Sequence, residues 1–325
     1  MSNPKPTASL SLDLDNLWSY MKTRGDEGWT EFPTYIDVIV PRALEFFRVR
    51  NLKITWFIVG KDASMPVNQP ALRTIADAGH EIGNHSFIHE PWLHLYTREQ
   101  LVEELTKAEV AIFEATGRKP VGFRGPGYSY SNTSLSVLAD MGYQYDASTL
   151  PTYLGPLARI YYFMASGLNR KERKQRDLLF GSWKNGFLPL KPYLWQLEHH
   201  ALVEIPVTTM PIFRMPFHPS YVLYLACYSE PIAMLYFNIG LTLCQWSGIG
   251  PSFLFHPLDF LGSDDNLPQL AFFPAMNMTS AKKLSLLGRM MDAFAAKFET
   301  VPMVEHARQE RSTGRLAVSK LAPQV

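Results

Sequence analysis

Between Ala8 and Asp15 the chain reads Ala-Ser-Leu-Ser-Leu-Asp-Leu-Asp, a regular alternation that predicts a strand with one apolar and one polar face. Residues two apart share a face, so Asp13 and Asp15 converge on one spot at the strand's end. Strand-like runs cover Ser9 to Asp13, Lys53 to Val59, Glu81 to Asn84, Val121 to Arg124, Gln144 to Ala147, Leu202 to Thr208 and Ser252 to His256. Helix-like segments alternate with them: Thr34 to Arg48, Pro70 to Ala78, Arg98 to Thr116, Asn132 to Met141 and Ser280 to Phe298. Thr97 is placed as an N-cap, with Gln100 at the third helical position, and Gly117 follows as a C-cap would. Repeated strand–helix alternation predicts an α/β fold on a parallel sheet.

Two apolar insertions break this rhythm. Residues 150–200 hold an apolar run, Leu150 to Leu168, followed by the basic cluster Arg170 to Arg176. Residues 210–250 are apolar too, and no Asp, Glu, Lys or Arg occurs from Pro231 to Leu258. A membrane-spanning helix needs about 20 continuous apolar residues. This run reaches that length only by including Asn238, Gln245, Gly248, Gly250 and the last predicted strand, which argues against a span. Both insertions are instead expected to form a largely helical cap beside the carboxyl ends of the strands. Such a cap packs on itself, on a second subunit in a homo-oligomer, or on a lipid surface with the basic cluster at the head groups.

The 325 residues, 46% of them hydrophobic, suit one decorated catalytic domain over 1–325, with both insertions inside it. A formal charge of +1 gives no electrostatic reason to expect nucleic acid as a partner. The stretch Met1 to Thr7 is short, polar and proline-rich, with no visible secretory signal, so a cytoplasmic location is expected, with peripheral contact at the inner face of the membrane. Cys227 and Cys244 both lie in apolar sequence and read as reduced, hydrophobic side chains.

The candidate chemistry begins with His85-Ser86-Phe87-Ile88-His89. Histidines four apart share one face of a helical turn and can reach a single ion. Two neutral imidazoles and one carboxylate leave coordination positions open, as a catalytic metal site requires, and the second carboxylate stays free as a base. Phe123-Arg124-Gly125-Pro126-Gly127-Tyr128 adds a fixed cation and flexible backbone at a strand end, and Leu254-Phe255-His256-Pro257 adds a histidine at another. His94, His199, His200, His218 and His306 lack partners at ligand spacing and read as structural or solvated, with His80 at the buried start of the third strand.

In order and content these stretches resemble the polysaccharide deacetylase family, the NodB-homology or carbohydrate esterase 4-like enzymes, over residues 8–148 and 200–305. Ile54 to Gly60, the lead-in His80 to His85, and Glu204 to Val207 add smaller likenesses. The Asp-x-Asp first motif is similar to the branch that includes peptidoglycan-deacetylase-like proteins and allantoinase-like amidohydrolases. The resemblance implies a distorted (β/α)7 barrel with its chemistry at the carboxyl ends of the strands. It implies a hydrolase that removes an N-acyl group from an amino-sugar glycan or a lipid-linked amino-sugar precursor. Asp15, His85 and His89 would hold a divalent metal, Zn²⁺ first, with Co²⁺, Ni²⁺ or Fe²⁺ as alternatives, to polarise the amide and acidify a water. Asp13 would be the general base, kept charged by the metal and by Arg124. The backbone N–H of Gly127 would meet the oxyanion, and His256 would protonate the leaving amine. Leu254 would line the acyl pocket, while Tyr128 and Trp92, with Tyr130, could stack on a sugar face or belong to the core.

The chain departs from the family at the fourth motif, where Tyr145-Asp146-Ala147-Ser148 stands in place of Asp-x-x-Asp-Trp. Asp146, Glu204 and Asp259 are therefore all candidates to orient His256. Two other readings keep part of this picture. One is hydrolysis of a small cyclic amide, and the other is a catalytically silent carbohydrate- or lipid-binding protein.

Overall fold

The computed structural model describes residues 5–155 and 183–320. Among the described residues ten strands make one sheet: β1 (Thr7–Leu14), β2 (Thr55–Ile58), β3 (Glu81–Asn84), β4 (Gly122–Phe123), β5 (Tyr145–Asp146), β6 (Tyr193–Gln196), β7 (Ala201–Glu204), β8 (Ser252–Phe255), β9 (Glu299–Val301) and β10 (Ala317–Lys320). They run in the order β10-β6-β7-β5-β4-β3-β2-β1-β8, with β9 also on β1. All neighbours are parallel except β6 and β7. Each strand expected from sequence overlaps an observed one. β7 stops at Glu204 because Pro206, two residues on, has no N–H to offer a ladder. The chain beyond it still reaches across to β8: Thr208 N–H donates to Ser252 O at 3.0 Å, and Ser252 N–H to Thr208 Oγ1 at 2.7 Å. These bonds close the seven core strands into the distorted (β/α)7 barrel.

The alternation in β1 now has a physical meaning. Ala8, Leu10, Leu12 and Leu14 point outward into a core shared with Ile39, Val40, Ala43, Phe46 and Phe47 of helix α2 (Ile36–Arg48), which follows α1 (Leu17–Arg24). Ser9, Ser11 and Asp13 point into the barrel, where Arg124 and His306 bond to them. Around the rest of the barrel the helices run α3 (Gly60–Ala63), α4 (Gln69–Asp77), α5 (Arg98–Thr116) and α6 (Asn132–Asp140). Thr97 and Gln100 form the capping box of α5, and Gly117 ends it with φ 70°, as the sequence predicts.

The amino end of the barrel is plugged. Following α10 (Ser280–Lys297), helix α11 (Met303–Ser312) puts Met303 and Ala307 into the inner cluster with Phe57, Tyr145 and Val203. Its first N–H groups cap onto the starts of strands, Met303 on Thr55 Oγ1 at 2.9 Å and Val304 on Glu81 Oε2 at 3.0 Å. With the bottom sealed, the carboxyl ends of the strands are the open face of the barrel.

Residues 210–250 form two helices, α7 (Pro219–Ala226) and α8 (Glu230–Trp246), which pack on one another and on α10. Phe217 and Phe237 clasp Phe253 of β8 edge-on, which fixes this insertion to the barrel. Phe237 is therefore core. The described part of 150–200 adds a strand to the helical picture: β6 pairs antiparallel with β7 and carries β10 at its other edge. Residues 156–182, with most of Leu150 to Leu168 and the basic cluster, lie outside the described residues. Among the described residues no helix is long and apolar enough to cross a membrane. The short α9 (Pro257–Phe260) follows β8 directly.

Candidate metal centre and active site

At the end of β1, Asp13 and Asp15 project together, as the two-residue period requires. The histidines arrive differently from the expectation. Residues 85–89 are not a helical turn: Ser86 and His89 have φ of 63° and 50°, and the segment is a tight loop after β3. Its backbone is clamped from several sides. Glu104 Oε1, from α5, accepts the N–H of Phe87 and of Ile88, both at 2.8 Å. Asn84 Oδ1 accepts from Ser86 N–H, and the carbonyls of Ser86 and Phe87 accept from Gly60 and Lys61 at the start of α3. Glu104 was missed from sequence because nothing in its own helix separates it from the exposed glutamates beside it.

The loop brings the rings of His85 and His89 to 5.1 Å between centroids. Their Nε2 atoms lie 3.3 and 3.0 Å from Asp15 Oδ1, and one ligand atom from each residue falls within 4.8 Å of the others. His85 Nδ1 lies 2.7 Å from the carbonyl of Arg124, which can only accept, so Nδ1 carries hydrogen and Nε2 presents a lone pair in the neutral ring. An imidazole lone pair facing a carboxylate oxygen in a buried site is repulsive unless a proton or cation sits between them. The donor set thus fits a divalent cation. Burial pushes the Asp15 carboxyl up, but His89 and His85 outweigh it and hold Asp15 well below its ordinary range.

Asp13 stands beside this cluster, its Oδ2 4.0 Å from His85 Nε2. Its Oδ1 accepts from Arg124 Nη1 at 2.7 Å. Arg124 is wholly buried: Nη1 also reaches Ser11 Oγ, Nε donates to Ala147 O, and the guanidinium lies 4.4 Å above the Phe57 ring. A cation so enclosed needs a fixed counter-charge, and Asp13 supplies it. Beyond it, Gly125 N–H donates to Ser148 Oγ, and Gly127 turns the chain with φ 61°. A side chain at Gly125 would collide with the Ser129 carbonyl, at 2.0 Å.

Tyr128 packs against Leu254, Leu150 and Val207, so two of the proposed substrate contacts share one apolar cluster. Burial, with Tyr221 and Asp13 nearby, pushes the Tyr128 phenol well above its ordinary value. Trp92 lies half-buried at the start of the turn Leu93–Leu95, and Tyr130 leans on Trp195 in a separate core cluster.

His256 sits at the end of β8, and the insertion supplies its surroundings. Its Nδ1 is 3.2 Å from Ser220 Oγ of α7 and its N–H donates to Asp259 Oδ2. The ring of His218 lies 5.7 Å away. Burial, His256 and Arg124 push His218 well below its ordinary value, so it is neutral near pH 7. His218 is the residue whose sequence reading changes most. The signal was present: His218-Pro219 and His256-Pro257 are the same dipeptide, each opening a helix. Asp146 and Glu204, the other candidates to orient His256, face each other across the β5–β7 register. Burial pushes both up, and they share their hydrogen bonds with Ser148, Thr149 and Trp195 rather than with His256. His80 and His306 are core histidines as expected.

Residues 26–145 match the polysaccharide deacetylase family model. The chain carries a polysaccharide deacetylase homology region. It is 33% identical over 114 residues to a peptidoglycan deacetylase of Helicobacter pylori, covering 35% of this chain and 38% of that protein. It is 36% identical over 110 residues to a peptidoglycan deacetylase-like protein of Gibberella zeae, covering 34% and 30% of the two chains. The chain therefore spans less than half the length of these curated relatives. A solved structure from Mycobacterium smegmatis, ascribed to the polysaccharide deacetylases, superimposes with a TM-score of 0.61 at 19% identity, over 100% of this chain and 97% of that one. The homology region holds His85, His89 and Arg124, whereas Asp13, Asp15 and His256 lie outside it and join the site through the fold.

Proposed function

We propose that this chain is a metal-dependent N-deacetylase of an amino-sugar glycan. The observation that carries the reading is the convergence of Asp15, His85 and His89 beside an Asp13 already fixed by Arg124. When bound there, a divalent cation, Zn²⁺ in our reading, supplies Lewis acidity toward the amide carbonyl and water. Asp13 accepts the proton of the attacking water on the oxygen that Arg124 leaves free. Gly127 N–H donates to the developing oxyanion, and His256 returns a proton to the leaving nitrogen. Leu254 and Tyr128 accept the acyl methyl, and Trp92 borders the sugar. The names of the curated relatives support a glycan rather than a small cyclic amide as substrate. Acetate release from N-acetylglucosamine oligomers by metal-reconstituted protein, lost with a chelator and regained with Zn²⁺, tests the reading. Turnover of a cyclic ureide alone would replace it with the amidohydrolase reading, and a protein that binds neither metal nor releases acetate would be a binding module.

The exposed side of α8 favours a finer version, in which the substrate is lipid-linked and the enzyme works peripherally at the cytoplasmic membrane face. Ile232, Leu235, Ile239 and Trp246 are 62%, 60%, 44% and 79% exposed and recur on one flank of the helix. Lys282 and Arg289 of α10 pair with Glu230 at the start of the helix. An exposed apolar stripe along one flank of a helix suits a lipid surface.

A further inference from the structure

We propose that Ser220 is the positioning residue for His256, its hydroxyl linking the buried Asp259 carboxylate to the imidazole so that Nε2 is the edge that takes up and delivers the proton. The inference rests on the deacetylase reading only in assigning His256 a proton to deliver. The geometry itself is independent of it. Asp259 is wholly buried and spends Oδ2 on the His256 N–H at 2.8 Å, while Oδ1 has no hydrogen-bond partner among the described residues. Ser220 Oγ lies 3.2 Å from His256 Nδ1, and a turn of its hydroxyl toward Asp259 would give the orphaned Oδ1 the donor it lacks.

A hydroxyl has one proton to give and lone pairs to receive. Given to Asp259, that proton leaves Ser220 able only to accept from Nδ1–H, which fixes the tautomer. In the imidazolium both nitrogens carry hydrogen. As the amide C–N bond breaks, the leaving nitrogen takes the Nε2 proton, and the ring returns to neutral with Nδ1–H unchanged.

The supports of this arrangement come from different elements. Ser220 and the neutral His218 stand at the start of α7, and Asp259 lies in α9. Lys283 of α10, buried, donates to the carbonyls of Leu258 and Leu261 at 2.8 and 2.5 Å and pins α9 in place. Burial lowers its ammonium pKa to about 8, with Asp259 acting to raise it. Asp146 and Glu204 are committed elsewhere, which leaves this relay as the contact that can aim the ring.

The test uses the full-length, Zn²⁺-loaded protein and its Ser220→Ala, Ser220→Thr and Asp259→Asn variants. The imidazole nitrogens are followed by NMR, with His256→Gln assigning the signal, alongside kcat and KM across pH. Ser220→Ala should shift His256 toward a tautomer mixture and move its titration midpoint to lower pH, because the imidazolium loses its acceptor. It should also lower kcat roughly ten- to a hundredfold with little change in KM, and Ser220→Thr should restore all three. Asp259→Asn should act in the same direction. If it fails to fold, Ser220→Ala carries the test. Unchanged His256 nitrogen shifts and midpoint in a folded, metal-replete Ser220→Ala protein overturn the proposal, whatever kcat does. A wild type that turns over no N-acetylated sugar defeats the deacetylase reading instead, and the NMR titration still decides the Ser220–His256 link.

Discussion

Asp13, Asp15, His85, His89 and Arg124 stand on strand ends and one clamped loop, tied together by short-range spacing and by bonds into the barrel interior. Across from them His256 comes from β8, and its ring is set by side chains of an insertion absent from the homology region. The first half needs only the barrel. The second needs α7 to dock as well, and that docking depends on the Phe217, Phe237 and Phe253 stack. The difference teaches that in this chain the side proposed to hold the metal and base is built into the scaffold, whereas the side proposed to supply the acid is assembled by long-range packing.

The sharpest way to separate the halves is to change what the leaving group needs. Asp13→Asn keeps an oxygen for Arg124 but cannot take a proton, and should lower hydrolysis of both an N-acetyl amide and an activated aryl acetate by about 10²–10⁴. His256→Gln should depress the amide similarly yet largely spare the aryl ester, whose phenolate leaves without a proton. Parallel kcat/KM measurements on the two substrates check this. Equal losses in both would show that the two sides do not divide the work in this way.

Acid should attack the scaffold side through its buried histidines. Burial lowers His80 and His306 to about 4, against 6.5 for an ordinary imidazole. Each folded value is depressed below the unfolded one, so the contribution is complete above pH 6.5 and is lost as the pH falls toward 4. Full protonation is worth up to about 3 kcal/mol for each group. His80 Nδ1 accepts the Ile54 N–H, and His306 Nδ1 pairs with Ser9 Oγ. Denaturant melts between pH 7 and 4 should show stability falling across this window. In His306→Gln the slope should be visibly shallower, and an identical slope would remove His306 from the account.

Within the metal side, the loop clamp is the weak point. Glu104→Ala leaves the N–H groups of Phe87 and Ile88 without their acceptor, and should weaken Zn²⁺ binding about 10–100-fold. Glu104→Gln retains a carbonyl oxygen and should weaken it less. Calorimetric titration of the apoprotein reads this directly, and affinity unchanged in Glu104→Ala would mean the loop is held by Asn84 and α3 alone.

Much of this architecture was legible in residues that act locally. The β1 alternation aims Asp13 and Asp15, and the Thr97, Gln100 and Gly117 caps bound α5. The Asp13–Arg124 pairing was expected because a carboxylate so close to Asp15 needs a cation beside it to stay charged. The conformation of residues 85–89 was not, since a four-residue spacing fits both a helical turn and a loop, and Glu104, far along the chain, decides between them. Ser220 was hidden for the same reason, and the place of His218 was hinted at only by its His-Pro dipeptide. They lie 36 and 38 positions before His256, and only the docking of α7 brings them near it. The burial of Phe237 could not be read from sequence, because an apolar helix shows no contrast between its buried and exposed sides.

The smallest effect on chemistry should come from the outer side of α8, and it bears on what the acid half faces. Leu235 and Trp246 protrude from that helix, while Ala233, Phe237, Gly240, Leu241 and Cys244 fill its buried side. Replacing Leu235 and Trp246 with Ser therefore removes apolar surface without opening the core. If the stripe meets lipid, the double variant should pellet severalfold less with anionic vesicles at low salt, and its kcat on a soluble chitooligosaccharide should match wild type. Wild-type protein that stays in the supernatant at low salt, yet sediments as a dimer that the same substitutions dissociate, would assign the stripe to a second copy of the chain.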